Sequence, residues 1–114
     1  MSTEGITLEE FARFLRATKD GQESHEDVNG FFKIGNCYLI QTVTTYHVGR
    51  LIGITPQELL LEKVTWVPDT GRFHDSLLSG EFEECEPFTE NVVVNRGAII
   101  VATEWKHDLP REQK

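Results

Sequence analysis

Cys37-Tyr38-Leu39-Ile40-Gln41-Thr42-Val43-Thr44-Thr45-Tyr46, followed at once by His47-Val48-Gly49-Arg50-Leu51-Ile52-Gly53-Ile54, is dense in β-branched and aromatic residues and reads as two consecutive strands. Gly35-Asn36 supplies a turn before the first strand. The second carries two glycines inside a strand pattern, the mark of a bend, a bulge or a close backbone approach. Thr55-Pro56-Gln57 then breaks the ladder, because proline has no amide hydrogen and a fixed φ, and residues 58–67 resume as a third strand. The sequence therefore predicts a β-meander.

Working outward, Pro68-Asp69-Thr70-Gly71 is a turn, and residues 72–79 have the length of a short helix closed by Gly80. Glu81, Glu83, Glu84, Glu86 and Glu90 repel one another, and the run reads as a solvated loop rather than a metal site. Residues 91–95 and 98–103 are two further short strands, separated by Arg96-Gly97. Towards the N-terminus, Thr7 and Glu10 form a capping box, with Ile6 and Phe11 spaced as a hydrophobic staple. Leu8, Phe11, Ala12 and Leu15 recur at helical intervals, so an amphipathic helix should follow, with a polar linker over residues 22–29. The expected organisation is an N-terminal helix and linker at 1–30, a bent β domain at 31–105 with a long inserted loop at 68–90, and a polar tail at 106–114.

Composition narrows the function classes. The chain has 114 residues, 39% hydrophobic and 26% charged, enough apolar material for one core and too little polarity for wholesale disorder. Nineteen acidic against 11 basic residues give a net charge of −8, a sign that repels polyphosphate and disfavours broad nucleic-acid binding. No apolar run approaches the roughly 20 residues that cross a bilayer, and the first residues lack the basic region of a secretion signal, so a cytoplasmic protein without membrane contact is expected. Cys37 and Cys85 stand far apart with no Cys-x-x-Cys or metal-type His spacing, which signals neither zinc nor a disulfide framework. No nucleophile elbow, zinc-protease motif, P-loop or dinucleotide fingerprint is present, so no catalytic residue, metal or cofactor is assigned.

Two stretches resemble the Sm-like family of small β-barrels. Gly49-Arg50-Leu51-Ile52-Gly53-Ile54, continuing through Glu58-Leu59-Leu60-Leu61-Glu62-Lys63-Val64, is similar to the first Sm motif, and Val94-Asn95-Arg96-Gly97-Ala98-Ile99-Ile100 to the second. The resemblance covers roughly residues 38–103. It implies a mainly β (α+β) fold, an N-terminal helix followed by a five-stranded, strongly bent Sm-like or SH3-like open barrel. It further implies a homo-oligomeric ring joined through edge strands, with RNA bound near an Asn before the third strand and the Arg of the Arg-Gly step. Arg96 matches the second position, whereas the first falls on Glu58, so the carboxylate and the acidic charge both disfavour RNA. Residues 66–73 and 109–114 also resemble small bacteriophage and prophage proteins. That likeness implies a host bacterial cytoplasm and suggests an anti-defence sponge that sequesters a nucleotide signal.

The candidate ligand-binding residues are Tyr46, His47, Arg50, Arg72, Phe73, His74, Arg96 and Gly97. Arg96 offers a planar fork for phosphate or a face for base stacking, and Gly97 permits close approach; the competing reading is an intersubunit ion pair. Tyr46, His47 and Arg50 are expected to line a pocket with Arg96, against the simpler reading of edge residues packing their own strand. Arg72, Phe73 and His74 stand at a turn-to-helix junction, where backbone amides favour anions, unless Phe73 merely anchors the loop. Trp66 and Trp105 suit base stacking, core or interface. The leading expectation is a non-enzymatic homo-oligomer binding a small nucleotide or phosphorylated ligand at intersubunit pockets. The alternatives are an Sm-like RNA-binding ring and a structural phage adaptor that binds another protein.

Overall fold

The computed structural model describes residues 30–114, together with β1 (Ser2–Thr3) and β2 (Ile6–Thr7), which pair antiparallel. The expected N-terminal helix and the linker at 22–29 lie outside the described residues. From residue 30 the chain is mainly β: six antiparallel strands in one open sheet, with one short helix. The strands are β3 (Cys37–Thr42), β4 (Tyr46–Ile54), β5 (Glu58–Asp69), β6 (Glu84–Pro87), β7 (Val92–Asn95) and β8 (Ile99–Glu104). The helix is α1 (Phe73–Ser79). The order is β6-β5-β4-β3-β8, and β7 pairs with the opening residues of β5 while β6 pairs with its far end.

Local chemistry explains the boundaries. Residues 43–45 form a turn rather than strand, because Thr42 N–H donates to the Thr45 carbonyl at 2.8 Å and the two threonine hydroxyls meet at 3.1 Å. Gly80 ends α1 in the left-handed region at φ 77°, its N–H donating to the Ser76 carbonyl. β4 and β5 are bent together at a bulge. Val48 faces Thr65 and Arg50 faces Glu62, so Gly49 stands alone opposite Lys63 and Val64. Lys63 adopts φ 53° there, a conformation that costs a residue with a Cβ about 1–2 kcal/mol.

The bulge resets the alternation along β5. Leu59, Leu61 and Val64 all enter one core, with Tyr38, Ile40, Leu51, Ile54 and Val94, while Glu62 and Lys63 both stay out of it. A second core lies on the opposite face of the sheet, where Leu39, Val48 and Val67 meet Phe82, Cys85 and Trp105. Trp105 stacks on Phe82 with ring centroids 5.1 Å apart. Each fully buried Leu or Ile contributes roughly 1.5–3 kcal/mol by leaving water.

Two segments differ from their sequence reading. The interval 68–90, expected as a long inserted loop with a short helix over 72–79, carries that helix as α1 but also the end of β5 and the strand β6. Within its acidic run, strand alternation points Cys85 inward and leaves Glu84 and Glu86 exposed. The polar tail at 106–114 is held against the sheet. It crosses the second face as a strap: the buried Thr65 Oγ1 donates to the Pro110 carbonyl at 2.7 Å, and Arg111 reaches the carbonyls of Val64 and Phe88. Among the described residues no helix is long and apolar enough to cross a membrane.

Candidate functional site

The structure distributes the sequence candidates over four places. At one corner of the sheet, the β4–β5 turn meets the β7–β8 turn. Thr55 Oγ1 accepts from the backbone N–H of Gln57 and Glu58, tightening the first turn around Pro56. Asn95 Oδ1 accepts from Gly97 N–H at 2.8 Å, capping the single 3-10 turn at Arg96–Ala98. The two turns are joined by Arg96. Its backbone N–H donates to the Gln57 carbonyl at 2.9 Å, its Nη1 to the Thr55 carbonyl at 3.0 Å, and its guanidinium lies 5.7 Å from the centre of the Phe32 ring. Glu58 pairs in register with Asn95, which places its residue position beside Arg96.

Tyr46, His47 and Arg50 do not join that corner within one protomer. Tyr46 and His47 open β4, whereas Arg96 sits beyond its last residue, and successive strand residues point to opposite faces. Tyr46 packs instead on Phe73, ring centroids 5.6 Å apart. His47 meets Phe88 at 5.9 Å, and its Nδ1 lies 3.4 Å from Thr45 Oγ1. Burial holds the His47 imidazole below its ordinary pKa, because the charged form is poorly solvated there. Arg72 precedes α1 and makes no side-chain cap, and Arg72 and His74 are both exposed. Helix α1 has only 7 residues, so its aligned dipoles are few, and Phe73 is the member of this trio held by an aromatic contact.

Arg50 belongs to a different group. It pairs with Glu62 across β4 and β5, Nη1 to Oε2 3.4 Å, and lines a recess of about 240 Å³ under the strap with Cys37, Lys63, His107, Asp108 and Arg111. Lys63, His107 and Arg111 were not singled out by the sequence reading. The adjacent polar residues Glu62-Lys63, interrupting the apolar alternation of β5, are the signal that marks the bulge. A larger cleft of about 740 Å³ runs between the end of α1 and the strap. His107 Nε2–H donates to the Leu77 carbonyl at 2.8 Å at its edge, and Lys114 Nζ meets Glu81 at 3.2 Å.

Trp105 is core, its Nε1 donating to the Asp108 carbonyl, whereas Trp66 is half exposed beside His47 in the β4–β5 register. Cys85 is buried and donates to the Glu112 carbonyl at 3.5 Å; burial raises its thiol pKa and keeps it protonated. Among the described residues no group of three or more His, Cys, Asp or Glu side chains is placed to hold a metal ion. Family models, curated proteins and solved structures return no match to this chain.

Proposed function

We propose that this chain is a non-enzymatic, Sm-like open barrel that assembles with copies of itself and binds a small nucleotide or related phosphorylated ligand at the corner built around Arg96. The observation that carries this reading is the position of Arg96. One guanidinium bridges two turns, is oriented by the Thr55 carbonyl and the Phe32 ring, and has the glycine of its own turn beside it. A fixed guanidinium loses little freedom when it takes up a phosphate or a base.

Assembly is supported by the edges on either side of the same turn. Among the described residues β7 pairs only with β5, and β8 only with β3, so each has a second edge to offer. Val93 on β7 and Ile100 and Val101 on β8 are 44%, 57% and 52% exposed, an apolar pattern suited to strand pairing between copies. A neighbour paired there would stand next to the Arg96 turn, which makes the ligand pocket intersubunit. The net charge of −8 does not oppose a small ligand as it opposes a long RNA, because screening over about 8 Å hides distant carboxylates from a local guanidinium. Glu58, paired with Asn95 beside Arg96, adds a carboxylate where an RNA-binding ring would want a neutral donor. Sequestration of a nucleotide in a bacterial host is the role that follows from the phage resemblance.

Native mass spectrometry of the purified chain, followed by calorimetric titration with mono-, di- and cyclic dinucleotides, tests the reading. A closed oligomer that binds one of these ligands, and loses at least tenfold in affinity on Arg96→Ala with the oligomer intact, is the expected result. A monomer at all accessible concentrations, or unchanged affinity in the variant, overturns it. Oligouridine binding that falls steeply with salt would replace it by the RNA reading.

A further inference from the structure

The recess beneath the C-terminal strap has chemistry that the Arg96 corner does not share. We infer that it is a separate binding site for a small, multiply charged oxyanion of the phosphate or pyrophosphate class, held by Arg50, Lys63 and Arg111.

Three segments remote in sequence bring these cations together: Arg50 from the middle of β4, Lys63 from the β5 bulge, and Arg111 from the strap, with His107 completing the wall. In a chain with 19 acidic and 11 basic residues, a lining with the side chains of two arginines and one lysine against one carboxylate, Asp108, is a local reversal of sign. Their charges are only partly spent. Arg50 is paired with Glu62 at 3.4 Å, but Arg111 is steadied by two backbone carbonyls, which orient its guanidinium without neutralising it. Among the described residues Lys63 has no carboxylate within ion-pair distance. An anion in the recess would supply the missing counter-charge to both.

The backbone of Lys63 is the second observation. In regular alternation Leu61 faces the core, residue 62 faces out and residue 63 faces in; the bulge turns residue 63 outward so that Val64 takes the inward place. The fold needs the bulge, but not a lysine in it. Glycine or asparagine would occupy φ 53° with less strain, and lysine at a left-handed position is the unfavourable choice unless its ammonium is used. The size of the recess, about 240 Å³, lies below that of pockets for whole nucleotides or drug-sized ligands and suits an anion of a few atoms. Guanidinium forks and an ammonium are the groups that recognise such oxyanions.

The test is isothermal titration of the full chain at low ionic strength with inorganic pyrophosphate, with phosphate and citrate as further arms. Saturable binding of one pyrophosphate per chain is expected. Lys63→Gly should weaken it at least tenfold while raising the thermal midpoint, since strain leaves together with the charge; Lys63→Asn should do the same. A merely structural lysine would give the stabilisation without any change in binding, and that outcome overturns the inference, as does the absence of saturable heat with the wild-type chain. Citrate competing for the same site supports an oxyanion site that accepts carboxylates, and preference for pyrophosphate supports a phosphoryl one. Pyrophosphate binding that is lost in Arg96→Ala and kept in Lys63→Gly would place the anion at the turn corner and overturn the recess assignment.

Discussion

Lys114 and Cys85 are paired as residues of adjacent strands are: Lys114 N–H donates to the Cys85 carbonyl at 2.8 Å, and Cys85 N–H to the Lys114 carbonyl at 3.0 Å. The strap thus ends in one antiparallel residue pair with β6, and the Glu112 carbonyl lies against the Cys85 thiol. Deleting residues 112–114 should cost about 1–3 kcal/mol through the lost hydrogen bonds. It should also expose Cys85 to a thiol reagent. In a Cys37→Ser background, faster labelling of the truncated chain together with a lower urea midpoint is the expected result; equal rates would show that the strap does not protect the thiol.

Thr65 is the buried polar anchor of the same strap, its hydroxyl 2.7 Å from the Pro110 carbonyl. Thr65→Val keeps the shape and removes the donor, leaving that carbonyl without its partner. A loss of about 1–3 kcal/mol in chemical denaturation is expected. Thr65→Ser, which keeps the hydroxyl, should recover part of it.

Gly49 tests the bulge from the opposite strand. A Cβ at this position would stand 2.8 Å from Val64 Cγ2 and 3.2 Å from the Glu62 carbonyl oxygen, and Val64 is fully enclosed in the first core. Gly49→Ala should therefore destabilise the chain by about 1–3 kcal/mol, read as a lower urea midpoint.

The contrast between what was legible and what was hidden follows from where the information sits. β4 and β5 announced themselves because side-chain type and alternation carry the signal, and Gly80 marked the end of α1 because the left-handed cap there favours glycine. β6 was masked by charge. The order Glu84-Cys85-Glu86 is a period of two, but the surrounding glutamates dominated the reading of that segment. The strap was hidden for a different reason: several of its anchoring contacts are made by the carbonyls of Pro110 and Glu112 and the backbone of Lys114, which composition cannot distinguish from those of a free tail. At the candidate sites, Arg96 was readable from its motif. Lys63 and Arg111 were not, since only the bulge and the strap bring them to Arg50.

The edges of β7 and β8 give the assembly reading its own test. Lysine at an exposed edge position opposes strand pairing through charge without disturbing a core it does not enter. Val93→Lys and Val101→Lys, at positions half exposed in the protomer, should each shift the chain towards monomer in sedimentation velocity while changing its unfolding free energy by no more than about 0.5 kcal/mol. Sedimentation unchanged from an oligomeric wild type would move the interface away from these edges.

His47 makes stability depend on pH in a direction fixed by its surroundings. Its imidazole is held below the ordinary value of 6.5 by burial beside Phe88, so between that value and the lower folded one the unfolded chain binds more protons. Stability contributed by the neutral ring is therefore complete above about pH 6.5 and is lost as the pH falls through the folded pKa. Carboxylates titrate at the lower end of the same range, so the comparison is with His47→Gln, which keeps them all. Urea midpoints of the two chains should differ by a constant amount above neutrality, and the wild type should lose ground to the variant as the solution is acidified. Parallel curves down to pH 4.5 would mean that the ring accepts its proton in the fold as readily as in water.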